Sequence, residues 1–349
     1  MAKKLSVGDR YISDESPCFI IAEAGSNHNQ DKEMAKKLIV TAAEAGADAV
    51  KFQTFRAESL YCRQAGKSDY LGEERSIYDI IAENEMPLDW IPWLAEECQK
   101  NNILFLSTAF DEQSADLLAP FMPLFKVASY ELTHHPLIQH LIGFRKPMIL
   151  STGAANMEEI GETVALLRQN NVEEFALLQC TARYPAPWEA LNLRAIPFLR
   201  AQFDILTGLS DHSLDPILAP VASVALGGKI IEKHFTLDKN LPGPDHRFSL
   251  EPHELRNMIQ AVRTTEQALG HHEKKPAAIE TELRHFARRA VFIVRPIHAG
   301  EVFSLKNLAV LRRDNQEASI LPKEYYAILG KKAARDLEAH TPLCQADIA

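Results

Sequence analysis

The chain has 349 residues, enough for a barrel of about 250 residues with a small appendage. Its net charge is −9 and its Lys and Arg form no long basic run, which argues against nucleic acid and anionic membrane as partners. No apolar run approaches the roughly 18 residues that span a membrane, and five Cys without CxxC spacing argue against a disulfide framework and for a reducing cytoplasm. The basic start, Met1 to Lys4, lacks a following apolar stretch, so no secretory signal is expected.

In chain order, eight short apolar runs stand out: Phe19–Ala22, Ala49–Phe52, Ile103–Leu106, Leu124–Val127, Met148–Leu150, Phe175–Leu178, Ile205–Leu209 and Lys229–Ile231. Each contains or leads into polar residues: Glu23, Lys51 with Gln53, Thr108, Lys126 with Ser129, Ser151 with Thr152, Cys180, Ser210 with His212, and Glu232 with His234. Helical periodicity fills the gaps, as in 31–45, where Met34, Leu38 and Ala42 share a face and Gly46 supplies a C-terminal cap. The segments 88–99, 113–118, 136–142, 157–168, 216–226 and 252–269 are comparable. Strand then helix, repeated, predicts parallel βα units and a (β/α)8 barrel, whose active site lies at the C-terminal strand ends. The polar stretch 63–75, within the long connection 53–88, reads as a substrate-covering loop. The pattern stops after Leu269, and GHHEKK (270–275) reads as the start of a linker. Beyond it, 291–294, 301–303 and 308–311 predict short strands around an Ala299-Gly300 turn. The expected division is a barrel over 1–272, a linker over 273–289 and a small, mostly β module over 290–349.

His212 and His234 end neighbouring strands of such a barrel, about 4.8 Å apart, and two imidazoles with open positions suit Mn, Co or Zn. Glu23, on the first strand and next to the eighth around the closed barrel, can join them. Helix capping fits Asn29 or Asp31 better than Glu23, which leaves Glu23 for chemistry. Lys51 and Lys126 alternate with apolar neighbours and point inward, where a charge needs a partner. That partner is either an internal carboxylate (Glu23, Glu131 or Glu232) or a bound phosphate and carboxylate aided by the hydroxyls of Thr108, Ser129 and Ser210. A Schiff-base lysine is a third use. Tyr184 lies in a rigid Tyr-Pro-Ala-Pro loop, and Asp245 can hydrogen-bond a polyol.

The segments IIAEAGSNHN (20–29), AGADAVKFQTF (45–55), FLSTAFDEQSADLL (105–118), FKVASYEL (125–132), CTARYPAP (180–187), LSDHS (209–213) and IEKHFTLDKNLPGPDH (231–246) resemble the N-acetylneuraminate (sialic acid) synthase family, its spore-coat polysaccharide branch in particular. The likeness spans nearly the whole chain, and the module from about residue 290 resembles the antifreeze-like (SAF, β-clip) domain that ends these enzymes. The resemblance implies condensation of phosphoenolpyruvate with an N-acylated aldose (N-acetylmannosamine or a 2,4-diacetamido-dideoxy relative), giving a nonulosonic acid and phosphate for a surface or spore-coat polysaccharide. It implies Mn2+ or Mg2+ on His212 and His234, and Glu23 as acid/base. It implies Lys51, Thr108, Lys126, Ser129 and Ser210 on phosphoenolpyruvate, Gln53, Tyr184 and Asp245 on the sugar, and Glu131 as a further substrate contact. It also implies a domain-swapped homodimer in which Arg312, with Phe286 nearby in the linker, reaches the partner's barrel and the sugar's acyl group. One departure stands out: Ala182 occupies a position where sialic-acid-forming members carry Asn, with Arg183 beside it. Two alternatives stay open, a metal-independent Schiff-base aldolase and a non-catalytic sugar-binding homologue.

Overall fold

The computed structural model describes residues 3–67, 75–312 and 319–349, so part of the expected covering loop at 63–75 lies outside the described residues. Two compact units, Met1–Gly270 and His271–Ala349, each have their own core. Among the described residues no helix is long and apolar enough to cross a membrane.

The first unit opens with an antiparallel hairpin, β1 (Lys4–Val7) and β2 (Arg10–Ser13). Its strands are too short to leave a periodic signal. There follow β3 (Phe19–Gly25), β4 (Ala49–Thr54), β5 (Leu104–Ala109), β6 (Phe125–Val127), β7 (Met148–Ser151), β8 (Phe175–Cys180), β9 (Leu206–Asp211) and β10 (Ile230–His234). These eight strands close a parallel barrel in sequence order, β10 pairing with β3. Each overlies one of the expected apolar runs. Most continue past it, so that Glu23, Gln53, Thr108, Cys180, Ser210, Glu232 and His234 lie within strands rather than after them.

The helices are α1 (Lys32–Ala45), α2 (Ala57–Leu60), α3 (Ile77–Glu83), α4 (Ile91–Lys100), α5 (Glu112–Leu118), α6 (His135–Gly143), α7 (Met157–Gln169), α8 (Ala195–Phe203), α9 (Leu218–Ala225) and α10 (Pro252–Leu269). Asp31 caps α1, accepting from the Glu33 and Met34 amides, and Gly46 closes it with φ of 89°, so Glu23 has no capping task there. Helix α8 was not expected, because Pro197 interrupts its apolar pattern. Proline is tolerated in a first turn, where the amide has no helical acceptor.

Inside the barrel, strand alternation stacks two kinds of layer. Toward the strand starts, Phe19, Ile21, Ala49, Leu106, Leu124, Ile149, Ala176, Leu206 and Ile230 form a dry floor. Leu5, Val7 and Ile12 of the hairpin are buried in the same cluster and stopper that end, each contributing roughly 2 kcal/mol of apolar burial. The layers nearer the strand ends are polar.

The second unit holds α11 (Thr281–Ala287), β11 (Arg289–Ile293), β12 (Leu308–Arg312) and α12 (Tyr325–Ile328). Strands β11 and β12 pair antiparallel over a core that includes Val291, Ile293, Phe303, Leu308 and Leu343. The expected strand at 301–303 is reduced to a single bridge between Val302 and Lys332, and the expected linker carries α11.

Gly208 on β9 has backbone against it: a Cβ there would lie 2.1 Å from the Ile230 carbonyl oxygen on β10. Neither strand can yield without breaking the barrel's pairing, so Gly208→Ala is expected to cost about 3 kcal/mol. Thermal or urea unfolding measures this, and an unchanged midpoint would contradict it.

Candidate active site

The inward-facing residues near the strand ends form one charge network. The Lys51 ammonium lies 2.8 Å from Glu23 Oε2 and 3.9 Å from Glu232 Oε1, and donates to Thr108 Oγ1 at 3.0 Å. Lys126 donates to Ser151 Oγ at 2.8 Å and to the Val127 carbonyl at 2.9 Å, with Glu232 Oε1 at 3.6 Å. Glu232 also accepts from the Ser210 hydroxyl at 3.4 Å, and Gln53 Nε2 donates to Glu23 Oε1 at 2.7 Å. All four charged side chains are buried. Of the partners expected for the lysines, the structure therefore brings in Glu23 and Glu232.

Their protonation follows from burial and spacing. Burial pushes Glu23 up to about 7, against the pull of Lys51. Burial would also raise Glu232, but Lys126, Lys51 and His212 outweigh it and hold it below the usual carboxylate range. For Lys51, burial is overcome by Glu23 and Glu232, and its pKa rises. For Lys126 burial wins over the more distant Glu232 and the pKa falls. Lys126 is thus a buried cation with too little negative charge beside it, which a bound anion would correct.

The two histidines converge on the same end, their ring centroids 5.5 Å apart. His212 Nδ1 lies 2.8 Å from the Thr181 carbonyl and 3.8 Å from Cys180 Sγ, which leaves Nε2 for other work. Burial, and then the positive charge of His212, hold His234 well below the ordinary imidazole value, in the neutral form that ligates metals. Its Nδ1 is buried without a hydrogen-bond partner, 3.8 Å from Asp245 Oδ2. Tyr184, preceding a cis Pro185, lays its ring 4.1 Å from that of His212. Gly25, at φ of 53°, lets Asp245 approach: a Cβ there would sit 2.8 Å from Asp245 Oδ2. Among the described residues no group of three or more His, Cys, Asp or Glu forms a metal cage. The orphaned nitrogen of the neutral His234, with the His212 ring 5.5 Å away, fits a divalent ion that takes its remaining ligands from substrate and water.

Of the other residues singled out in the sequence, Ser129 accepts from the Gly153 amide at 3.0 Å. Glu131 is buried two residues further on, with Oε2 unpartnered. Ala182 follows β8, and Arg183 beside it is exposed. Phe286, 60% exposed on α11, and Arg312, at the end of β12 opposite Arg289, belong to the second unit. Sequence reasoning gave Glu232 and Ser151 no role in substrate binding. The alternation that turns Lys51 inward also places Glu232 on the His234 face, a signal the sequence does carry.

This ring, on a parallel barrel followed by a β module, bears comparison with known proteins. The NeuB family matches residues 38–274, and the SAF domain matches 288–349. The chain belongs to the NeuB family. Among relatives, it is 42% identical to the spore coat polysaccharide biosynthesis protein SpsE of Bacillus subtilis, covering 98% of this chain and 96% of that one. It is 39% identical to the N,N'-diacetyllegionaminic acid synthase of Legionella pneumophila, covering 93% of each. Among solved structures, the SpsE crystal structure superposes with TM-score 0.68, covering 99% of both chains at 41% identity. The N-acetylneuraminic acid synthetase of Leptospira borgpetersenii, in complex with citrate, superposes with TM-score 0.73, covering 81% of this chain and 96% of that one at 33% identity.

Glu131 offers a test independent of turnover. Burial raises its pKa to about 7, above the unfolded value near 4.5, so the folded chain favours the protonated form. Stability on this account falls as pH rises from about 4.5 through 7. Glu131→Gln removes the ionising group and is expected to gain roughly 2 kcal/mol over the parent at pH 8 and almost nothing at pH 4.5. Unfolding midpoints that shift equally at both pH values would refute this.

Proposed function

We propose that this chain condenses phosphoenolpyruvate with an N-acylated aldose, of the N-acetylmannosamine or 2,4-diacetamido-dideoxy type, releasing phosphate and a nonulosonic acid for a surface or spore-coat polysaccharide. The observation that carries this reading is the pairing of two buried lysines, of which Lys126 lacks a close carboxylate, with two converging imidazoles at the same barrel end. The named acid synthases among the relatives support it. The absence of any membrane-crossing helix among the described residues and five unpaired cysteines agree with a place in the cytoplasm.

In this mechanism Lys51 and Lys126 neutralise the phosphate and carboxylate of phosphoenolpyruvate, with Thr108, Ser129 and Ser210 donating hydroxyl hydrogen bonds. Gln53, Glu131, Tyr184 and Asp245 orient the open-chain aldose above it. His212 and His234 would hold Mn2+ or Mg2+, whose chemistry is to polarise the aldehyde carbonyl. The enol C3 attacks the aldehyde C1 and positive charge develops at C2. Water adds at C2 as Glu23 takes one of its protons and returns it to the former aldehyde oxygen, and the tetrahedral intermediate expels phosphate, which carries off the C2 hydroxyl proton as the ketone forms. With its pKa near 7, Glu23 can accept and return that proton at neutral pH. A phosphate-release assay with phosphoenolpyruvate across 2-acetamido and 2,4-diacetamido hexoses tests the reading. Turnover is expected with at least one acceptor, lost in Glu23→Gln and after EDTA, and restored to the wild type by Mn2+. Turnover that survives both treatments would refute the assignment.

Lys126 favours a second reading, since a buried lysine with a lowered pKa suits a Schiff base. Borohydride trapping with substrate and no need for metal would mark that outcome.

We also propose a homodimer in which Arg312 serves the partner's barrel. The second unit carries more Lys and Arg than Asp and Glu, whereas the barrel is strongly acidic, so the charges are complementary. Arg312→Ala subunits mixed with Glu23→Gln subunits are expected to recover activity that neither has alone. No recovery would place Arg312 in its own subunit's service or in none.

A further inference from the structure

On the side of β9 and β10 that faces away from the pocket lies a second buried ion pair. Successive strand residues point to opposite faces, so Ser210 with His212, and Glu232 with His234, turn inward while Asp211 and Lys233 turn outward. Asp211 and Lys233 are register partners across the two strands, each 1% exposed, and Lys233 Nζ lies 2.5 Å from Asp211 Oδ2. The same ammonium donates to the Ser213 carbonyl at 2.5 Å and the Asp215 carbonyl at 3.2 Å. Asp211 accepts in turn from the Ser213 amide at 2.9 Å and the Ser213 hydroxyl at 3.0 Å. One charge on β10 therefore grips the chain on both sides of His212: Asp211 before it, Ser213 and Asp215 after it. His234 is the next residue along from that charge.

We propose that Lys233 and Asp211 are positioning residues that fix His212 and His234 at the separation a divalent ion requires. A buried ion pair is a poor way to fill a core, because apolar residues of similar volume often serve stability as well or better. What this pair supplies is direction. An apolar contact would leave the 211–215 turn free to shift, whereas four oxygens around one ammonium, Asp211 Oδ2, the Ser213 carbonyl and hydroxyl and the Asp215 carbonyl, define its place. The rings themselves are packed by Tyr184 and Phe248, but their polar anchors are few: His212 Nδ1 has the Thr181 carbonyl and the Cys180 thiol, and His234 Nδ1 has no hydrogen bond, so the pair acts on the backbone beneath both.

The inference rests on the ligand reading given under Proposed function, and the experiment separates the two. Mn2+ binding to the full chain is followed by electron paramagnetic resonance of the free ion, and phosphoenolpyruvate binding by calorimetry. His212→Ala and His234→Ala are expected to abolish Mn2+ binding; binding that survives both overturns the ligand reading and this inference with it. The doubly neutral Asp211→Asn/Lys233→Met variant, and Asp211→Asn alone as the milder change, are expected to weaken Mn2+ binding about 10- to 100-fold. Phosphoenolpyruvate affinity should stay within about twofold, and hydrogen exchange should show lost amide protection confined to 211–217. If Asp211→Asn, folded by near-ultraviolet circular dichroism, binds Mn2+ as the parent does, the positioning role is overturned while the ligand reading stands. Equal losses of Mn2+ and phosphoenolpyruvate affinity also overturn it, since they would reflect a loosened barrel.

Discussion

Two lysines and two glutamates share the inside of one barrel, and the rest of the site is arranged around the need to keep them there. All four are buried, none more than 5% exposed, and a buried charge is tolerated only with a partner and hydrogen bonds. Lys51 bridges Glu23 and Glu232, while Lys126 leans on Glu232 and two neutral oxygens. The network is balanced at one end and short of negative charge at the other. That asymmetry leaves Lys126 without a close carboxylate of its own, a deficit that an anion beside it would make good. It also sets Glu23 apart from Glu232. Burial raises both carboxylates, but Glu232 has two lysines against it and Glu23 one, so Glu232 is held ionised while Glu23 is raised toward neutrality and becomes the group able to move a proton.

Much of this was legible in the chain. The eight strands show in the sequence because each begins apolar and ends polar, as a barrel with a dry floor and a reactive rim requires. Lys51 and Lys126 declare their inward direction through apolar neighbours on either side. What stays hidden is which of the possible partners the closed barrel brings within reach. That Glu232 reaches both lysines follows from β10 lying beside β3, a fact of topology. The hairpin at Lys4–Ser13 leaves no periodic trace, and Pro197 makes α8 look interrupted. The stretch at 301–303 reads as a strand locally but finds only Lys332 across from Val302, and strand character without a continuous partner is not a ladder. The linker appeared structureless because α11 spans only seven residues, fewer than propensity alone can announce.

The ion pair on the outer face of β9 and β10 illustrates a different economy from the one in the pocket. Inside, the charges are imperfectly matched, with Lys126 no closer than 3.6 Å to Glu232. Outside, Lys233 and Asp211 have their hydrogen-bonding capacity met locally by Ser213 and Asp215. Adjacent residues on the same strands thus serve opposite requirements, incompleteness on one face and closure on the other, and the period of two is what keeps them apart.

The hairpin that plugs the strand starts has a kinetic meaning. With the apolar floor packed across the barrel and Leu5, Val7 and Ile12 covering it from below, everything enters and leaves the polar end through one mouth. On the reading proposed above, the enol phosphate lies at depth against the lysines and the sugar lies over it. The deeper substrate must then arrive first, and the phosphate derived from it cannot depart until the larger product has cleared the opening. A stopper at one end of the molecule thereby imposes an order of events at the other.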